Sequence, residues 1–260
     1  MSLEQAFITS ILEAPEDTTN RLIFADWLEE HGDPRSELIR REVEAAGILG
    51  WGNIHGILSA QRFYRKIDER VVRQAAASLP KPEVLRPVLE ECEEHILVLH
   101  PGFNLRVIRG HAESNFIADT THHLLMADQS WYLDENEPLG FIEYPAHYIL
   151  FPKQPLPLYH RTWKEQVKKY GKSFRPPVGD YLRVLGASEL ANVLLLHEQD
   201  TGLRLLRDCL LRCREGHGVD QHVCVGDFNN TGLNVYCYGD DERHFGYGLA
   251  TATDLTLPPS

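Results

Sequence analysis

The sequence predicts an α+β protein, an N-terminal helical module followed by a mixed domain with antiparallel strands and hairpins. Apolar residues recur at helical spacing through the first third of the chain. From about residue 96 short or alternating apolar runs take over, bounded by Gly, Pro and Asn. Pro80-Lys81-Pro82 stands between the two patterns, and exposed proline-rich links are typical boundaries. The expected division is therefore a helical module at 1–80 and an α+β domain at 83–260, with a further break near 152–175 where prolines cluster.

Each element has a local reason. Ser2-x-x-Gln5 forms a capping box ahead of Leu3, Phe7, Ile8, Ile11 and Leu12, and Ala14-Pro15 ends that helix. A second helix is expected from about Thr19 to His31, with Gly32 in the left-handed position after it. Asp33 then caps a third helix that Pro34 opens. Gly50-Trp51-Gly52 interrupts, and one long helix is expected over Ile57 to Leu79. Beyond a short acidic helix near Glu90, Ile96–Leu99 and Leu105–Ile108 read as strands around a His100-Pro101-Gly102-Phe103 turn. Further strands are expected at Phe141–Tyr144 and His147–Phe151, and a helix over Thr162–Tyr170 that stops at Gly171. Val178–Leu185 reads as helix, Val193–Leu196 as a buried strand, and Leu203–Arg214 as a helix with a stripe at 203, 206, 210 and 213. The clearest hairpin joins Val223–Val225 to Leu233–Tyr238, whose second arm alternates apolar and polar residues.

Bulk properties narrow the partners. A 43% hydrophobic and 25% charged composition is that of a folded chain, not a disordered one. Lys and Arg total 26 against 38 acids, a formal charge of -12, with no segregated basic patch. Nucleic acid and anionic membranes are therefore disfavoured partners, and a basic protein is the favoured one. No apolar run approaches membrane-spanning length, and Met1-Ser2-Leu3-Glu4-Gln5 lacks the features of a signal peptide. Five cysteines, an odd and sparse set, fit a reducing cytoplasm.

The stretch Arg21-Leu22-Ile23-Phe24-Ala25-Asp26-Trp27-Leu28-Glu29-Glu30-His31-Gly32-Asp33-Pro34-Arg35, with Glu37-Leu38-Ile39-Arg40 after it, resembles a bacterial helical family, the repeat-companion domain. The resemblance covers about residues 5–43 and implies an intracellular modular protein; no repeats follow in this chain, and the family brings no reaction with it. On physical grounds Trp27 anchors helix packing, Asp33 caps, and Arg35 or Arg40 can pair with Asp26 or Glu30. Asp26, Arg35 and Arg40 are the surface candidates for binding, although a fold-holding role explains most of the motif. The C-terminal part is similar to the SUKH superfamily, which includes bacterial toxin-immunity proteins and cellular scaffolds. Pro176-Pro177-x-x-Asp180-Tyr181-Leu182, Val225-Gly226-Asp227-Phe228 and Gly232-Leu233-Asn234-Val235 carry that similarity. It implies a binding fold and supplies no catalytic residue.

Several groups can be weighed as chemistry. Cys209-x3-Cys213-x3-His217 would place three soft ligands on one helical face, with His222 and Cys224 nearby, as a zinc site requires. The absence of a Cys-x2-Cys knuckle and the apolar position of Cys213 favour core cysteines instead. His111, Asp119, His122 and His123 form a second cluster, but adjacent histidines on a strand point to opposite faces. Asp227-x-Asn229-x-Thr231-Gly232 begins like a calcium loop, yet Tyr238 stands where the bidentate acid belongs. Phosphate-binding, dinucleotide, zinc-protease and serine-hydrolase motifs are absent from the sequence. The expected function is a non-enzymatic interaction or regulatory protein of the bacterial cytoplasm, immunity-like, with no cofactor and no catalytic residue to name. The alternative is a hydrolase or metal-dependent enzyme whose site is assembled from dispersed His, Asp and Cys residues.

Overall fold

The protein is seen in a computed structural model that describes residues 2–91, 94–118, 131–154, 160–173, 182–243 and 246–253. Three helices open the chain, α1 (Leu3–Glu13), α2 (Thr18–Glu30) and α3 (Arg35–Leu49). Ser2 Oγ accepts from Gln5 N at 3.2 Å, Asp17 Oδ1 from Thr19 N at 2.8 Å, and Gly32 takes φ +68° between α2 and α3. These local devices are those the sequence encodes.

After a 3-10 turn at Trp51–Asn53 comes a two-residue strand, β1 (Ile54–His55), and then α4 (Ile57–Tyr64), α5 (Glu69–Ser78) and α6 (Pro82–Glu91). The expected single helix from Ile57 to Leu79 is thus two. Arg65 turns to φ +60°, and Asp68 restarts the helix by accepting from Val71 N at 2.9 Å. The chain continues through β2 (His95–His100), α7 (Leu105–Ala118), β3 (His147–Pro152), α8 (Trp163–Ser173), β4 (Leu182–Val184) and α9 (Ala187–Thr201). Strands β5 (Leu210–Gly216), β6 (Gln221–Asn229), β7 (Gly232–Gly239), β8 (Tyr247–Leu249) and β9 (Thr251–Thr253) complete it.

Two sheets result. One has the order β1-β2-β3-β9-β4 and the other β7-β6-β5-β8. Pairing is antiparallel except for β1 with β2 and β5 with β8. Ala250 lies between β8 and β9 and binds both sides: its N donates to Arg212 O at 3.0 Å, and its O accepts from Leu185 N at 2.7 Å. Helix α9 packs against both sheets and against α4 and α7. Every residue from Ala187 to His197 is buried. Apolar residues on both sides of Pro80-Lys81-Pro82 join one contiguous core, from Ile11 to Ala252.

Several expected elements are corrected. Leu105–Ile108 begins a helix because Asn104 Oδ1 accepts from Val107 N at 3.1 Å. Val193–Leu196 is helical, inside α9. Leu203–Arg214 is not a helix: Leu206 has φ +57°, and β5 starts at Leu210. Phe141 closes a 3-10 turn, and Ile142–Tyr144 form no strand. Helix α8 runs past Gly171 to Ser173, and Leu182–Val184 is a strand. Between the two arms of the expected hairpin, residues 226–232 do not form one loop and are mostly strand. Gly226 at φ +146° and Asp227 at φ +44° form a bulge within β6, and the turn is Asn230-Thr231.

Candidate functional site

One group of polar side chains gathers where β1 passes beneath the C-terminal end of α9. Gly50 ends α3 at φ +80°, the Trp51–Asn53 turn reverses the chain, and Ile54 and His55 pair in parallel with Leu97 and Val98. His55 is thereby carried into the interior, at 1% exposure, beside His197 at 2%. His55 Nδ1 lies 2.8 Å from Asp200 Oδ2, and His55 Nε2 lies 2.9 Å from His197 Nδ1. Ser59 Oγ donates to Asp200 Oδ2, and Arg62 Nη2 reaches Asp200 Oδ1 at 3.0 Å.

Glu42 of α3 approaches from the other side. Its Oε1 accepts from Ile57 N at 2.6 Å and from the Tyr148 hydroxyl. Gly56 makes this approach possible, since a Cβ there would stand 2.2 Å from Glu42 Oε1. Arg21 of α2 lies with its guanidinium carbon 4.1 Å from the centroid of the Trp51 ring, and its Nη2 donates to Pro15 O at 3.2 Å. Its Nε is buried without a hydrogen-bond partner. Arg21, Glu42, Trp51, His55 and Asp200, with Leu12, Ile54 and Leu58, line a cavity of about 210 Å³.

The electrostatics follow from burial. Desolvation pushes the Glu42 carboxyl up, and the bonds from Tyr148 and Ile57 only partly oppose it. Desolvation also acts to raise Asp200, but the bonds and charges of His55 and Arg62 hold it below the ordinary carboxylate value. His197 is pushed down to about 4 by burial and by the neighbouring His55. Arg21 is lowered by desolvation, against the pull of Glu42 and Asp200.

This arrangement is poorly suited to nucleophilic catalysis. A serine nucleophile needs a base to take its proton. The Ser59 hydroxyl donates to Asp200, while both ring nitrogens of His55 are engaged by Asp200 and His197. The network ties β1 and α4 to α9, and Arg21 remains the under-bonded group.

A second buried network surrounds Glu189, which has no exposed surface. Its Oε1 lies 2.7 Å from Arg183 Nη2 and 2.8 Å from His147 Nε2, and its Oε2 accepts from Gly186 N at 2.7 Å. His100 stacks edge-on to His147 at 5.5 Å, fully buried, with both ring nitrogens unbonded.

The residues singled out from the sequence lie elsewhere. Arg40 Nη2 bridges Asp26 at 2.8 Å and Glu29 at 2.6 Å on an exposed face. Arg35 pairs with Asp33 at 2.6 Å and Glu4 at 2.8 Å and bonds Gln61 at 3.0 Å, joining α1, α3 and α4. Asp33 Oδ1 accepts from Arg35 N at 2.9 Å, so it does cap α3. Because β5 replaces the expected helix, Cys209, Cys213 and His217 do not share a helical face. Cys213 is buried in the core, Cys209 is half-buried, and His217 lies against Trp131 with its Nδ1 3.1 Å from Glu137. Burial raises all the described thiols, to about 11 for Cys209 and about 12 for Cys224 and Cys237. Among the described residues no three His, Cys, Asp or Glu side chains group as a metal set. His222 stacks on Trp163 at 3.7 Å and bonds Asp240. His111 lies in α7 against Tyr64, while Asp119, His122 and His123 fall outside the described residues, as do Pro176, Pro177, Asp180 and Tyr181. Asn229 Oδ1 is taken by Thr231 N at 2.8 Å, within the β6–β7 turn.

The cavity residues were not visible as a motif. His55 and Asp200 are 145 positions apart, so no spacing connects them. The available signal was Gly50-Trp51-Gly52 and Gly56, glycines crowded around a tryptophan where the chain must turn and then admit a close neighbour. No family model, curated protein or solved structure matches this chain.

Proposed function

We propose that the chain is a non-enzymatic interaction or regulatory protein of the bacterial cytoplasm that docks a basic protein partner on the face formed by α1 and α2. The composition of that face carries the reading. Residues 1–33 contain eight carboxylates and one arginine; Arg35 and Arg40 pair with four of the carboxylates, and Arg21 is drawn inward over Trp51. Leu3, Leu12, Leu22 and Ile23 remain exposed on these two helices, at 58%, 47%, 37% and 48%. Among the described residues no cation pairs with Glu13, Glu16 or Glu30 beside them. Apolar groups rimmed by charge are typical of interaction surfaces, and an acidic field steers cationic partners.

The hydrolytic alternative has less support, because Ser59 donates to Asp200 while both ring nitrogens of His55 are engaged by Asp200 and His197, so no imidazole is placed to take the serine proton. The repeat-companion and SUKH-like resemblances, including an immunity-like role, agree with a binding protein. The test is affinity capture from the native host with the wild type and with a Leu22→Ser/Ile23→Ser variant. Surface changes of this kind alter stability by about 0.5 kcal/mol or less. The expected result is a basic protein captured by the wild type, released by added salt and lost with the variant. Identical capture by both proteins would refute this docking face.

A further inference from the structure

We propose that the cavity between Arg21, Glu42, Trp51 and Leu58 binds a small organic monocarboxylate with an apolar body. The inference does not depend on the docking face described above. Its starting point is the balance of charge around the cavity. Asp200 is matched by Arg62 and takes further hydrogen bonds from His55 and Ser59. Burial raises the Glu42 carboxyl above its ordinary value, and its Oε1 is already occupied by Ile57 N and Tyr148. Glu16 also lines the cavity, and Glu42 and Asp200 act on Arg21 through their charge, yet none of these three carboxylates forms a hydrogen bond or ion pair with it. The Arg21 hydrogen bond goes to the neutral carbonyl of Pro15, and neither Nε nor Nη1 bonds to a described residue. Buried polar groups in native proteins normally find a partner, so an under-bonded guanidinium at a cavity wall calls for an acceptor.

The shape of the site restricts that acceptor. Trp51 covers one face of the guanidinium and leaves its edge to donate hydrogen bonds, the geometry in which arginine grips a carboxylate. Ile11, Leu12, Ile54 and Leu58 provide apolar wall around this polar end. An apolar cavity of roughly 150 Å³ accepts benzene, so about 210 Å³ accommodates a body of that size with a carboxylate attached. A larger organic anion or a nucleotide exceeds this volume. A bare inorganic anion would leave the apolar walls unfilled.

Isothermal titration of the full-length protein with benzoate, phenylacetate and hexanoate tests the site, with benzamide as a neutral comparator and inorganic phosphate as an apolar-free anion. At least one carboxylate should bind saturably with one site per chain. Benzamide should bind at least about tenfold more weakly and phosphate should not saturate, since a lost charge-assisted bond is worth roughly one to two orders of magnitude in affinity. Arg21→Gln should weaken the carboxylate about tenfold or more, and Leu58→Trp, which fills the cavity from its apolar wall, should abolish binding; circular dichroism checks the fold of each. Should Arg21→Gln fail to fold, Leu58→Trp and the benzamide comparison still decide. Failure of all three carboxylates to saturate, equal binding of benzamide, or undiminished binding by either folded variant would overturn the proposal.

Discussion

Replacing His100 with leucine is expected to make the protein more resistant to acid. His100 ends β2 with no exposed surface and no bonded ring nitrogen. Burial pushes its pKa from the ordinary 6.5 down to about 3; Glu189 pulls the other way, while His147 and Arg183 lower it further. The folded value lies below the unfolded one, so between the two the unfolded chain binds more protons. Stability is then full above about pH 6.5 and falls as the pH drops toward 3. Between pH 7 and pH 5 the unfolded imidazole goes from about one quarter protonated to nearly fully protonated while the folded one stays neutral, a loss of about 2 kcal/mol. Leucine takes up no proton and leaves no unbonded ring N–H, a group whose burial costs about 1–3 kcal/mol. Urea unfolding followed by tryptophan fluorescence at pH 7, 6 and 5 gives the comparison. The stability difference between His100→Leu and wild type should move by about 2 kcal/mol in favour of the variant as the pH falls. Other titrating groups, including Glu42, whose raised pKa acts with the opposite sign, are common to both proteins and drop out of the difference. A parallel loss of stability in the two proteins would refute the reasoning.

Four further outcomes are expected. Gly56→Ala places a Cβ 2.2 Å from Glu42 Oε1, which Ile57 and Tyr148 prevent from withdrawing, so it should cost about 1–3 kcal/mol. Gly47→Ala in α3 meets nothing within 4 Å and should stabilise by about 0.5–1 kcal/mol, and side-by-side thermal melts should shift in opposite directions. Tyr64→Phe strips the 2.6 Å bond from buried Asn192 Oδ1 and should cost about 1–3 kcal/mol in chemical denaturation; no change would mean that the bond adds nothing. Asp33→Ala should lose about 0.5–2 kcal/mol, and Asp33→Asn should fall between it and wild type, because asparagine keeps an acceptor for Arg35 N and loses the ion pair to the Arg35 side chain. Equal damage from both Asp33 variants, read by melts of the full chain, would assign the effect to the ion pair alone.

What could be read in the sequence was what the chain decides over a few residues. The α2–α3 junction was legible because Gly32 and Asp33 act on their immediate neighbours. Helix α9 was missed because it is buried on all sides, so Val193–Leu196 shows an apolar run in place of a one-sided stripe. Its real marker was Gly202, left-handed at φ +70° just past the last turn. Strand β5 was hidden for a related reason. Both of its faces are covered, and Arg212 is buried among apolar neighbours, bonding to Arg161 O at 2.9 Å and Glu242 O at 2.7 Å, so the polar–apolar alternation of a half-exposed strand is lost. The start of α7 is signalled by Asn104, a capping residue directly after the His100–Phe103 turn. The cavity belongs to a different class of information, since His55, Asp200, Arg21 and Glu42 meet only once β1 has joined the sheet.

The pairing of β1 with its distant neighbours also sets a timetable for synthesis. His55 finds its partner 142 residues later, and Ser59 and Arg62 wait almost as long for Asp200. At about 5–20 residues per second, the N-terminal helices leave the ribosome roughly 7–30 seconds before α9 can close over them. Throughout that interval the face of Ile54, Ile57 and Ala60 that α9 later helps to cover lacks part of its final surroundings. A nascent chain stalled before residue 187 would therefore present this half-built wall to chaperones and proteases, and quality control would act on the long wait more than on the finished molecule.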